Sequence, residues 1–168
     1  MTTTAPSGDI DVNTHSPAAG EALRQFRVIF GAVRQYFQVV EKACGVSGAQ
    51  IWVMATLRQQ PGMKVSELAK ALSIHTSTAS NLLDKIEKVG LVRRERNTTD
   101  QRVVRLYLTA TGEKALALAP QPLTGILTHA LDQLPDATLA RLNQDLAAVI
   151  EHMGAVNIQD AQKPLSEL

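Results

Sequence analysis

The chain has 168 residues, of which 45% are hydrophobic, 20% charged and 4% aromatic, and its net charge is +1. This composition fits one globular domain with a core of its own and excludes wholesale disorder; no run approaches the ~18 consecutive apolar residues of a membrane span. A single cysteine, Cys44, excludes an internal disulfide framework and a multi-cysteine metal site.

Residues 1–19, rich in Thr, Ser, Pro, Gly and Ala, read as a disordered lead-in. They have neither a basic start nor an apolar run, so they do not make a secretory signal; the expected location is cytoplasmic, with no membrane partner. From Glu21 onward Leu23, Phe26, Phe30, Val33, Phe37 and Val40 recur at spacings of three and four. That period predicts an amphipathic helix of about six turns, closed by Gly45. Ser47 opens a second helix, with Gln50 at capping-box spacing and Pro61-Gly62 to stop it. A short helix over 66–72, a tight connection through Ser73-Ile74-His75 and a helix over 76–89, ended by Gly90, make a helix-turn-helix.

In the 76–89 helix Ala79, Leu82, Leu83, Ile86 and Val89 form the inward stripe, and Ser77, Thr78, Asn81, Lys85 and Lys88 lie opposite. Residues 91–96 and 102–108 read as strands joined by the polar turn Asn97-Thr98-Thr99-Asp100-Gln101, a β-hairpin. Charge gathers here. Between positions 85 and 105 seven basic residues (Lys85, Lys88, Arg93, Arg94, Arg96, Arg102, Arg105) face three acids (Glu87, Glu95, Asp100), a local +4, whereas the chain from residue 132 onward carries −4. A near-neutral chain that collects its positive charge in one stretch offers a candidate polyanion surface; a solvated charged hairpin is the alternative. Thr109 can cap the next helix, which Pro120 and Pro122 interrupt. A last helix over 136–153 lines up Leu139, Leu142, Leu146, Val149, Ile150 and Met153, and residues 154–168 read as a frayed tail.

This order of elements resembles the MarR family of bacterial transcriptional regulators over roughly residues 20–153. The stretch from Asp100 through Arg102, Leu106, Leu108 and Thr109 to Gly112 is similar to that family's D-x-R-x-x-x-L-x-L-T-x-x-G pattern at every fixed position. Ser66-Glu67-Leu68-Ala69 and Glu87-Lys88-Val89-Gly90-Leu91-Val92 are similar to its helix-turn-helix borders. The resemblance implies a mainly α fold with a small β-hairpin wing: a winged helix-turn-helix core at 47–109, with N- and C-terminal dimerisation helices at 20–45 and 110–153. It also implies a homodimer on a pseudo-palindromic operator in double-stranded DNA, acting as a ligand-responsive repressor.

The residue chemistry stands beside that resemblance. A recognition helix brings short polar side chains to base edges, which suits Thr76, Ser77 and Thr78; Asn81 can bond adenine in a bidentate manner, with Lys85 further along. In the family the arginine matching Arg102 enters the minor groove and the aspartate matching Asp100 braces it, as the concentrated negative potential of a narrow groove favours. Arg94 and Arg96 can touch phosphates according to strand register; Arg93 and Arg105 suit structural roles equally well. The apolar stripes of the terminal helices exceed what a winged core of about 60 residues requires, and the resemblance implies that they interlock with the same elements of a second copy; a monomer that folds them back on itself is the alternative.

Tyr36 and Trp52 either belong to the core or line a pocket for a small aromatic or phenolic ligand. Cys44, at a helix C-terminus that disfavours a thiolate, reads as an inert buried residue, with redox sensing as the alternative. His75 reads as a solvated turn histidine, and the four histidines are scattered, so neither metal nor cofactor is expected. No HExxH, GxGxxG, P-loop or GxSxG pattern supports an enzyme. The remaining alternative from another class is a winged-helix protein-interaction module without DNA binding.

Overall fold

The computed structural model describes residues 16–96, 103–154 and 156–167. Helix α1 spans Pro17–Cys44. It starts earlier than the apolar period suggests, because the Ser16 hydroxyl accepts from the Ala19 N–H and Pro17 needs no N–H partner in the first turn. Of the lead-in expected at 1–19, residues 17–19 are therefore helical, and residues 1–15 lie outside the described set. The helix closes at Gly45, whose φ of 68° suits glycine and whose N–H donates to the Glu41 carbonyl.

Helix α2 (Gly48–Gln59) opens on the expected capping box: the Gln50 N–H donates to Ser47 Oγ at 3.3 Å, and the Ser47 N–H donates to Gln50 Oε1 at 2.8 Å. Ile51, Val53, Met54 and Leu57 are all fully buried, so α2 is covered on most sides and forms the axis of the core. Helices α3 (Val65–Ala71) and α4 (Thr76–Lys88) pack on it as the helix-turn-helix. Ala79, Leu82, Leu83 and Ile86 of α4 are buried as the stripe requires. Val89 is not: it follows the last turn of α4 as the C-cap, where the chain leaves the 3.6-residue period, and it is 61% exposed.

Strands β1 (Val92–Arg96) and β2 (Val104–Leu108) pair antiparallel, with Val92 opposite Leu108 and Arg94 opposite Leu106. Leu106 is completely buried. Its backbone also reaches the α2–α3 link, donating to the Met63 carbonyl at 3.0 Å and accepting from the Gly62 N–H at 2.8 Å. The hairpin is thus bolted to the helix-turn-helix at its root. Gly62 turns the chain there with φ of 81°, and a Cβ at this position would stand 3.1 Å from the Tyr107 hydroxyl.

Helix α5 (Ala110–Ala117) begins where the family-like pattern ends. Thr109 Oγ1 accepts from the Gly112 N–H at 3.0 Å and donates to the Gly90 carbonyl at 2.7 Å, linking the start of α5 to the terminator of α4. Gly112 has no space for a side chain: an added Cβ would lie 2.1 Å from the Leu91 carbonyl oxygen. The threonine and glycine of the pattern are packing requirements.

Past the interruption at Pro120 and Pro122 come α6 (Ile126–Asp132) and α7 (Asp136–His152). The segment expected to fray instead forms two 3₁₀ turns, Ile158–Gln162 and Leu165–Glu167, with Pro164 buried between them. Asn157 caps the first turn by accepting from the Gln159 N–H, a local signal that outweighs the polar composition.

No residue of α7 is buried, and in α1 only Tyr36 and Val40 are. Leu23 and Phe30 on α1, Val149 and Ile150 on α7, and Met153 at the C-cap of α7 stand exposed. Among the described residues no helix is long and apolar enough to cross a membrane.

Candidate nucleic-acid interface and the cavity beside it

The outer face of α4 presents Ser77, Asn81 and Lys85 at intervals of four, one stripe of a helix, with Thr76 beside its start. All four are exposed; Thr78 is half-buried. His75 sits exposed at the N-cap position and its side chain caps nothing. The first turn of α4 holds no acidic residue, so its free N–H groups and short side chains form an uncharged, hydrogen-bonding tip.

The two acids further along α4 are occupied. Arg94 donates to Glu87 Oε2 at 2.6 Å through Nη1 and to Asp84 Oδ1 at 2.7 Å through Nη2, and its backbone N–H donates to Glu87 Oε1 at 3.2 Å. Arg94 is also one of the two hairpin arginines read as candidate phosphate contacts. The guanidinium is committed to holding β1 against α4, and it draws the acids of α4 toward the hairpin, away from the polar tip.

Arg93 also has a local role: it lies over the Tyr107 ring, 4.8 Å from its centroid, and pairs with Glu95. Arg105 Nη1 donates to the Gly62 carbonyl at 2.8 Å, another tie at the root of the hairpin. Arg96, the last described residue of β1, is exposed. Asp100 and Arg102 lie outside the described residues.

The aromatic pair singled out in the sequence converges. Tyr36 of α1 and Trp52 of α2 line one cavity with Val33, Phe37, Gly48 and Ala49, closed by the start of α6 and by Pro164, Leu165 and Ser166. Tyr36 contributes its ring. Its hydroxyl donates to the Pro122 carbonyl at 2.6 Å and thereby holds the α5–α6 connection against α1. Burial, and secondarily the nearby Cys44 thiol, push the Tyr36 phenol above its ordinary value, so it stays a neutral donor.

The sequence reading gives Phe37 only as part of the apolar stripe of α1 and does not single out Gly48; both line the cavity. A Cβ on Gly48 would meet the Phe37 ring at 2.5 Å, so α1 and α2 approach closely because Gly48 has no side chain. The available signal was Phe37 lying four residues beyond Val33 on the stripe of α1.

The described architecture has counterparts among known proteins. Its fold matches the crystal structure of a MepR-like protein complexed with pseudoligands, with a TM-score of 0.55 over 80% of this chain and 92% of that one, at 19% identity. The MarR family model matches residues 46–104, from just before α2 through the helix-turn-helix and β1 to the first residue of β2. The transcriptional repressor MdtR of Bacillus subtilis is 38% identical over 69 residues, 41% of this chain and 44% of MdtR. The transcriptional regulator MgrA of Staphylococcus aureus is 31% identical over 112 residues, 67% of this chain and 69% of MgrA.

The chain belongs to the MarR family. As a MarR family member it is a DNA-binding transcriptional regulator of the winged helix-turn-helix type.

Cys44, at the end of α1, is half-buried against the core. Burial raises its thiol above the ordinary cysteine value, the direction that suppresses thiolate at neutral pH. The expected result is slow labelling by a disulfide reagent near neutral pH, accelerating as pH rises and reaching half its limiting rate at a higher pH than free cysteine does. A pH–rate titration on the native protein checks this; a midpoint below that of free cysteine contradicts it.

Proposed function

We propose that this MarR family member is a homodimeric, ligand-responsive repressor that reads a pseudo-palindromic operator. Each protomer lays the tip of α4 in a major groove and the wing arginine, Arg102, in the adjoining minor groove. The observation that carries this reading is the uncharged stripe of Thr76, Ser77 and Asn81 on a helix whose own acids are held away by Arg94. Hydroxyl and amide side chains at that end suit base edges and phosphates; Lys85, further along, and Arg96, on the hairpin, suit the backbone. Thr78, half-buried, suits a phosphate at the rim. The roles of Arg102 and its brace Asp100 rest on the sequence pattern.

Dimerisation is supported by α1 and α7, where exposed Phe30, Val149 and Ile150, with Met153 at the C-cap of α7, are apolar surface that a second copy would cover. Such a pair sets two recognition helices about one turn of DNA apart. Repression is suggested by MdtR, whose name calls it a repressor.

Ligand response is supported by the cavity between α1, α2 and α6, with the rings of Tyr36 and Trp52 in its wall, which suits a small aromatic or phenolic molecule. A ligand that prefers the dimer with mismatched spacing between its two lobes weakens DNA binding by the same factor.

An anisotropy titration of the native protein against the duplex flanking its own gene, over a range of salt, tests the DNA reading. The expected affinity falls steeply with salt, and the Arg102→Ala variant binds more weakly with a shallower salt slope. Unchanged affinity and slope in that variant would remove the wing from the interface. No retention on any duplex at low salt would leave a protein-interaction module.

A further inference from the structure

We propose that the C-terminal segment, residues 158–166, is a built-in occupant of the cavity between α1, α2 and α6, and that a ligand enters by displacing it. The inference rests on reading that cavity as the ligand site. Pro164 is buried, and Pro164, Leu165 and Ser166 line the cavity together with Trp52. With the segment in place the free volume is about 50 Å³. A site for a drug-sized molecule needs roughly 300–1,000 Å³. The cavity therefore has the lining of a ligand site but not the room.

The segment is held in a way that permits release. Among the described residues its hydrogen bonds are internal: Asn157 with Gln159 and Asp160, and Lys163 with Asp160 through both its backbone N–H and its ammonium group. The segment meets the body through Pro164, which is buried, and through Leu165, which lines the cavity while remaining 47% exposed. The seat is also imperfect, since the Ser166 hydroxyl is sealed from solvent with no hydrogen-bond partner. A second hollow of about 550 Å³, bordered by Ile150, Met153 and Ile158 and sharing Leu165 with the cavity, adjoins the segment and offers it space to move into. Among the described residues, the hydrophobic core cluster includes none of this segment.

A chain ending at Asn157 tests the proposal beside the full-length protein. Trp52, the only tryptophan, reports on the seat without any ligand. Truncation is expected to shift its emission to the red and increase its quenching by acrylamide. The fluorophore anilinonaphthalene sulfonate is expected to bind the truncated chain about 10-fold or more tightly than the full chain, because the closed fraction no longer competes.

Two full-length variants carry opposite signs. Leu165→Ala loosens the seat and strengthens probe binding, whereas Ser166→Ala removes the unpartnered hydroxyl and weakens it. Unchanged Trp52 exposure on truncation, or equal probe affinity in the two chains, overturns the proposal. Increased Trp52 exposure with no probe binding to either chain supports the occupant and overturns the ligand reading instead.

Discussion

Replacing Leu106 by alanine is expected to lower the unfolding free energy by about 2–5 kcal/mol, against a total of roughly 5–15 kcal/mol for a typical domain. Leu106 is completely buried, it pairs with Arg94 across the hairpin, and its backbone bonds Gly62 and Met63 in the α2–α3 link. A cavity there loosens the wing, α2 and the helix-turn-helix together, because one residue joins all three. Val104, two positions earlier on β2, is only partly buried, and its alanine variant is expected to lose less. Urea unfolding of both variants at one protein concentration provides the comparison. A Leu106→Ala loss no larger than that of Val104→Ala would show that the hairpin is not anchored at this point.

The second large effect is on DNA. Asn81→Ala is expected to weaken operator binding by about 1–3 kcal/mol, roughly 5- to 150-fold, and to relax the preference at one base pair of each half-site. Asn81 is exposed on the Ser77–Lys85 stripe and its removal leaves the charge of α4 untouched, so the salt slope is expected to stay that of the native protein. Binding to an unrelated duplex should barely change. Equal losses on operator and unrelated DNA would assign Asn81 to the helix surface and not to base reading.

Much of this fold could be read from local chemistry. Gly45 ends α1, the Ser47–Gln50 box opens α2, Gly90 follows α4 and Thr109 caps α5, all because orphaned backbone groups at helix ends have few partners to choose from. The alternation in 104–108 gave β2 and its buried centre, Leu106. What escaped depended on groups that meet only after folding. Arg94 reaches Glu87 and Asp84 because β1 turns back along α4, a geometry that charge counting along the chain does not contain.

The cavity beside the interface needed four separate segments to converge. Its two aromatic walls could be nominated from their residue type, but Gly48 and the C-terminal turns could not. The early start of α1 was a matter of competing signals: Ser16-Pro17 is a sound helix opening, set within a stretch whose composition argues for a loop. Arg102 and Asp100 remain assigned by pattern, beyond the described residues.

Dimethyl sulfate protection across the duplex flanking the gene tests the pairing of two α4 helices with two major grooves, since the reagent attacks guanine N7 on the major-groove floor. The expected pattern is two protected tracts related by a two-fold axis, about 10 base pairs from centre to centre, both weakened together by Asn81→Ala. A single tract, or protection that the Asn81 variant leaves intact, would contradict it.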